Sequence, residues 1–475
     1  MKRLNWKKIL LFAIPLGLGT IGFLLAHYHP TDAIFTSICL YAMEYSDPPP
    51  NLLVEIARWT APLATAGGIL IAFSAFRRRL RGLWRSFRGN GVAVYGPLEL
   101  RSPFLAALGR RGIDGGDLAD ALLPARRMVL LGDEKDTLAF YQRHRAQLRD
   151  RVVVLPSAAL RPQDLADPHL RLFSREETAA RLYWREHPLF PEARDHQFRP
   201  AVALIGFGPL GQALLTQGLQ VNLFDPSQGI AYHIFGDPVA MREFAAVHAG
   251  LKQMEDQVIF HDEPWFDQIN LLEGAVRVLV TEPDTPRLVQ RLLLAAKSCP
   301  VVGFTSGDGC LALLSGQERL SVFDPDALLT PENVLGDTLY DRAMRLNHRY
   351  AIRYGGAADT PAAREEAWRQ LNGFTRYSNI SAADAHEVRL RMLETLREPA
   401  DPDKMSPALF ERLSELEHMR WCRYHWLNNW TAGTPADGAA KDARARIHID
   451  LVPYAQLSDA EKEKDRESLR VLFET

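Results

Sequence analysis

Apolar and polar positions alternate in three different rhythms along the chain. Residues 9–26 and 59–76 are apolar and carry no charge. At about 1.5 Å of rise per residue, such helices nearly cross a hydrocarbon core of about 30 Å, so two transmembrane helices are expected within residues 1–88. From residue 89 the pattern changes to short apolar runs separated by stretches of helical periodicity, the sign of parallel-sheet α/β construction. The rhythm occurs twice, over 89–197 and 198–355. From about residue 360 the texture is mostly helical, rich in Trp, Arg and His.

Charge adds an orientation. Lys2, Arg3, Lys7 and Lys8 precede the first apolar stretch, and Arg77, Arg78, Arg79, Arg81, Arg85 and Arg88 follow the second. Basic residues stay on the inner side, so both termini are expected in the cytoplasm of a protein held in the inner (plasma) membrane, with lipid as a partner. The first stretch is long for a signal peptide, and no small-residue cleavage site follows it. With 24% charged residues and a net charge of −2, the remainder reads as ordinary folded protein and gives no reason to expect a nucleic-acid partner. Cys39, Cys299, Cys310 and Cys422 form no C-x-x-C pair, so neither a metal site nor a disulfide framework is expected. No Ser/His/Asp or Cys/His arrangement suggests a catalytic residue. The chain reads as a non-enzyme, with an oxidoreductase the less favoured alternative.

The sharpest local motif is Ala201-Val-Ala-Leu-Ile-Gly206-Phe-Gly208-Pro-Leu-Gly211, a short strand running into G-x-G-x-x-G and then a helical pattern. Gly206 allows the tight turn, Gly208 lets backbone approach a pyrophosphate, and Gly211 allows helix to pack on strand. NAD or another adenine nucleotide is the expected bound ligand. Asp237, closing the strand expected at 231–235, is the candidate for a ribose hydroxyl; Asp225 lies nearer the nominal spacing. The upstream unit has strands at 92–96, 128–132 and 152–156 but no phosphate cradle after Gly96. It reads as a degenerate copy of the same Rossmann-type unit. The fold class is therefore α/β with membrane helices: two N-terminal transmembrane helices, two Rossmann-like parallel-sheet units and a mostly α-helical C-terminal domain.

Between the apolar stretches, Asp32-Ala-Ile-Phe-Thr-Ser-Ile-Cys-Leu-Tyr-Ala-Met-Glu44-Tyr45-Ser-Asp47 resembles the pore loop of two-span potassium channels, with Glu44, Tyr45 and Asp47 at filter positions. Glu44 and Ser46 replace the filter's glycines, so a ring of Glu44 side chains, rather than the usual carbonyl cage, would favour cations. A relic loop or a plain anchor is the alternative. Two spans followed by paired Rossmann units resemble the regulator-of-potassium-conductance arrangement, also called the TrkA-N or potassium-transport nucleotide-binding domain. That resemblance implies a homotetramer whose cytoplasmic part moves on ligand binding.

The C-terminal region carries Trp368, Arg376-Tyr-Ser-Asn379, Asp384-Ala-His386, Leu416-Glu-His418-Met-Arg420-Trp421, Trp430 and His448 in order. Over 365–475 it resembles the ryanodine-receptor-type (RyR) repeat of bacterial proteins, with Asn429 in place of a usual glycine and Tyr454 in place of tryptophan. The resemblance implies sensing of a nucleotide-derived signal beside a membrane or anti-phage effector. Trp421 and Trp430 would stack a base, Arg376 and Arg420 would pair with phosphate, and Asn379, His418 and His448 would supply hydrogen bonds. Each also has a structural alternative, since tryptophans at helical spacing commonly form core. The expected function is that of a ligand-gated membrane effector. The alternative is a non-conducting membrane-anchored sensor or scaffold.

Overall fold

The computed structural model describes residues 6–44, 47–87, 91–123, 125–148, 151–156, 169–194, 199–282, 284–305, 310–314, 318–336 and 338–474. The side chains of 6–11, 68, 70–79, 81–83, 85–87 and 312 lie outside the described set. Two compact units emerge: residues 1–93 with 113–115 and 121–126, and the remaining residues.

In the first unit, α1 (Trp6–Leu25), α2 (Pro30–Cys39) and α3 (Leu52–Phe87) pack around Phe23, Ala33, Leu40, Val54, Ala57 and Ala61. Close packing sets the sequence here. A Cβ on Gly22 would lie 2.7 Å from Val54 Cγ2, and one on Gly19 3.0 Å from Ser37 Oγ. Thr65 Oγ1 donates to Tyr41 O (3.2 Å), fastening α3 to the turn that follows α2. Glu44 and Asp47 are exposed beyond that turn, whereas Tyr45 lies outside the described residues. Among the described residues, no helix is long and apolar enough to cross a membrane.

The first sheet contains β1 (Val92–Tyr95), β2 (Gly112–Gly116), β3 (Arg127–Leu130), β4 (Val152–Pro156) and β5 (Leu170–Phe173), ordered 2-1-3-4-5. The helix α4 (Arg175–Glu186) then leads into the second sheet. That sheet holds β6 (Ala201–Ile205), β7 (Ala231–Phe235), β8 (Gln257–Phe260), β9 (Arg277–Val280), β10 (Val301–Phe304) and β11 (Leu320–Phe323). Its order is β11-β10-β9-β6-β7-β8, with all pairs parallel. Counted from β6, this is the dinucleotide-binding order 3-2-1-4-5-6, which reverses between β6 and β9. Its inner strands β6, β7, β9 and β10 are near-continuous apolar runs because both faces are covered. β9 is buried throughout, and its Arg277 is held by Tyr183 Oη (3.1 Å), His187 O (2.7 Å) and Glu192.

The C-terminal helices do not form a separate bead. α5 (Pro209–Val221), which follows β6, shares one apolar core with α6 (Gly373–Leu396), α7 (Pro407–Leu427) and α8 (Asp459–Glu474). Leu214, Leu215 and Leu219 belong to the same cluster as Val388, Met392, Leu413, Leu416 and Leu469. Ser406 caps α7 by accepting from Leu409 N (3.2 Å), as the Ser406-Pro407 pair predicts. Arg423 of α7 is fully buried against Asp256 (2.6 Å) and Leu219 O (2.9 Å). Asp384 of α6 receives Arg181 of α4 through two hydrogen bonds (2.6 and 2.9 Å) and Gln217 of α5 (3.0 Å).

Asn429 explains its own departure from the repeat pattern. It sits at φ 58, in the left-handed region where glycine is usual and asparagine is the best-tolerated side chain. The side chain is then used, because its amide donates to Val247 O (2.6 Å) and accepts from Gly250 N (3.4 Å).

Candidate functional site

The glycine-rich loop lies at the carboxyl end of β6, where the strand order reverses and α/β folds bind ligands. Gly206 has φ 102, and a Cβ there would lie 2.7 Å from Glu282 N. Its carbonyl accepts from Thr281 Oγ1 (2.8 Å), and its N–H donates to Phe235 O (2.8 Å), so both neighbouring strands brace the turn. A Cβ on Gly211 would overlap Gly206 O, and that is what lets α5 close onto the loop. Gly208 differs. Its φ is −73, open to any residue, and nothing lies within 4 Å of a Cβ built there. The fold does not require glycine at 208, and the space beside it, at the first turn of α5, is open.

Asp237 ends β7 as expected, and its carboxylate accepts from Val239 N (3.2 Å) and Ala240 N (3.3 Å), capping the helix Pro238–Val247. Asp225 instead closes a turn, accepting from Ser227 N (2.9 Å) and Oγ (2.7 Å) and pairing with Arg412 (2.5 Å). Burial would raise the Asp225 carboxyl, but the Ser227 hydrogen bonds and Arg412 outweigh it and hold it below its ordinary value. Gly236, Phe207 and Thr281 also build the loop, and the motif does not name them. A Cβ on Gly236 would come within 2.6 Å of Phe207 Cβ. A Gly-Asp pair directly after the second strand was the signal available for Gly236.

In the C-terminal module, four of the seven expected ligand residues come together. Trp421 lies against His418 (ring centroids 5.8 Å apart) and His448 (4.9 Å), and Trp430 lies 6.4 Å from His448. Two further residues complete the cluster: His425, 4.1 Å from Trp421, and Phe374, stacked on Trp430 at 5.2 Å. The i, i+4 pair Trp421/His425 was visible in the sequence.

The arginines are engaged otherwise. Arg420 meets Glu417 (2.8 Å) and Ser381 Oγ (3.3 Å), and Glu417 also takes Arg389 (3.1 Å), forming a buried Arg–Glu–Arg triad. Arg376 donates to Trp368 O (3.3 Å) and Leu371 O (3.1 Å) at the start of α6. Arg420 is committed to acceptors of the fold through all three of its nitrogens, whereas Arg376 uses Nη2 for the two carbonyls and leaves its buried Nε without a partner. Asn379 is half-buried on α6. Trp430 is buried and Trp421 is half-buried.

The histidines are held in opposite states. Both ring nitrogens of His418 face acceptors, Asp465 (3.1 Å) and Val452 O (2.8 Å), with Cys422 Sγ 3.4 Å away. Burial opposes its charging, but Asp465 and Cys422 outweigh that and push its pKa up to about 10. Burial pushes His425 down to about 3, although its ring donates to Trp421 O. Burial, then the charge of Lys441, pushes His448 down to about 4. A raised histidine stabilises the fold fully below its ordinary 6.5 and loses that contribution as pH rises to its folded value. A lowered one costs stability as pH falls below 6.5. Thermal midpoints of the full chain should therefore fall between pH 6.5 and 10, and His418→Gln should flatten that limb. Equal slopes in both proteins would show that His418 is not the charged group. Below pH 6.5 the two proteins should lose stability in parallel, through His425 and His448.

The sequence profile of the RyR domain matches residues 403–475, which covers α7, the small strands that follow it and α8. Among solved structures, the A chain of dipicolinate synthase from Bacillus subtilis is similar at 10% identity, over 52% of this chain and 92% of that one, with a TM-score of 0.24. No curated protein matches the chain.

Proposed function

We propose that this protein is a membrane-tethered effector gated by a nucleotide-type signal. The glycine-rich loop holds the phosphates of NAD or a related adenine nucleotide, and the RyR-like helices, packed into the same core as α5, respond to its occupancy. The observation that carries the reading is Gly208: a glycine that its own backbone does not need, beside a helix N-terminus at the switch point of the sheet.

The membrane part of the proposal draws on the first unit. α1, α2 and α3 turn large apolar side chains outward, among them Leu25, Phe35, Trp59 and Leu63, each more than 60% exposed. Soluble surfaces rarely leave so contiguous an apolar covering bare, whereas lipid or neighbouring copies would cover it. Together with the basic flanks of 9–26 and 59–76, this supports a homotetramer in the inner membrane, both termini inside, with Glu44 at a pore-like turn. A non-conducting anchored sensor or scaffold, serving in anti-phage defence, is favoured by one feature: the filter glycines are replaced by Glu44 and Ser46.

Potassium flux from liposomes containing the full chain tests the proposal. Flux should rise when NAD or ADP-ribose is supplied and should drop in Glu44→Gln. Nucleotide binding without flux in either protein would reduce the role to that of a non-conducting sensor. Absence of both binding and flux would remove the proposal altogether.

A further inference from the structure

A cleft of about 280 Å³ lies between α5 on one side and α6 and α7 on the other, bordering the aromatic and histidine cluster at Tyr424. Gln212, Thr216, Gln217 and Gln220 line it from one face of α5, at the three- and four-residue spacing of neighbours on a helix. Tyr377, Ser381 and Asp384 of α6 line the opposite wall. Three glutamines along one helix face are costly beside an apolar core unless their amides are satisfied.

The orientation of those amides decides what the cleft offers. Gln212 Nε2 donates to Phe207 O (3.2 Å), Gln217 Nε2 to Asp384 (3.0 Å) and Gln220 Nε2 to Thr216 O (3.1 Å). Each partner accepts one N–H, so each amino group is turned toward the protein with a single N–H to spare, and the amide oxygens stand as acceptors for anything bound. Two carboxylates, Glu177 and Asp384, stand among the lining residues against one guanidinium, Arg181. Asp384 is already engaged by Arg181 and Gln217, so that guanidinium is matched and phosphate is disfavoured, while the three amide oxygens suit a molecule that brings hydrogen-bond donors. The ring of Phe244 and the side chains of Ile380 and Leu427 give it an apolar flank suited to a flat molecule. Ligand pockets start at about 300 Å³, so this volume suits a base or nucleoside rather than a dinucleotide.

We propose that this cleft is a second ligand site, taking a donor-rich planar molecule of the aminated nucleobase or nucleoside class. It stands independently of the glycine-rich loop but is tied to it, because Gln212 lines the cleft while its amide holds the carbonyl of Phe207. Occupancy of the cleft would thus bear on the turn that cradles phosphate.

Isothermal titration of the detergent-solubilised full chain with adenosine, cytidine and uridine tests this. Adenosine and cytidine, which carry exocyclic amines, should bind the parent protein and Gly208→Val alike, and uridine more weakly. Thr216→Phe, which fills the cleft, should weaken adenosine by more than about tenfold, a loss of about 1.4 kcal/mol. If that variant does not fold, Ala213→Phe fills the same space from the preceding turn. Adenosine binding lost in Gly208→Val but kept in the filled variants would overturn the proposal by placing the nucleoside at the glycine loop. Failure of all three nucleosides to bind the parent would overturn it as well, while leaving NAD binding at the loop a separate result.

Discussion

Arg423→Met should destabilise the protein by about 3–5 kcal/mol at neutral pH, the usual penalty for breaking a buried ion pair from one side. Arg423 and Asp256 are both fully buried, and methionine matches the arginine stem while leaving the carboxylate without its partner. Burial already raises Asp256 above its ordinary value, opposed by Arg423. Without that arginine the carboxyl should hold a proton in the folded state. The deficit should then shrink as pH falls and the unfolded chain also becomes protonated. Asp256→Asn should restore much of the loss in the double variant, since an amide oxygen can still accept from Ile230 N (2.7 Å). Thermal unfolding of the full chain followed by tryptophan fluorescence at pH 5 and 8 reads all three effects. A variant as stable as the parent at pH 8 would mean that α7 does not depend on this pair for its seat.

The second large effect separates two glycines three residues apart. Gly211→Ala places a Cβ onto Gly206 O and within 3.1 Å of Leu204 Cδ2, with backbone as the obstacle, so α5 must shift from the sheet. Overpacking of this kind costs about 1–3 kcal/mol. The Cβ of Gly208→Val meets nothing within 4 Å, and the variant should keep a thermal midpoint near that of the parent. The same thermal unfolding measurement decides both. If Gly208→Val were the less stable of the two, the space above the loop would have a structural purpose instead of a ligand.

The strands visible in the sequence were mostly those whose residues are buried on both faces, with the edge strand β8 an exception. β6 and β7 were predicted at 201–205 and 231–235, where they stand, because central parallel strands read as unbroken apolar runs. The strands that escaped prediction are β2, β5 and β11, all at sheet edges. Gly-Ile-Asp-Gly-Gly of β2 carries too little apolar character to signal a strand, and Leu-Ser-Val-Phe of β11 is only four residues long, with Ser321 and Val322 exposed. α5 begins at Pro209, three residues before the helical pattern was read, since proline is suited to the first turn.

The site was legible only where it is local. Glycine spacing announced the loop, and the repeat's Trp and His residues announced the cluster of Trp421, Trp430, His418 and His448. What binds the module to the Rossmann unit was not legible. Arg423–Asp256 and Arg181–Asp384 join residues far apart in the chain, and no local pattern distinguishes a docking arginine from one awaiting phosphate. Arg420 and Arg376 illustrate the same ambiguity, since they satisfy Glu417 and the carbonyls of Trp368 and Leu371.

Titration of NAD into the full chain and into Gly208→Val is the most direct measurement of whether the loop is the sensing site. Saturable binding by the parent, lost or weakened by more than about a hundredfold in a variant of unchanged thermal midpoint, is the expected result, since a side chain there stands where pyrophosphate must approach backbone. Equal affinity in the two proteins would contradict it.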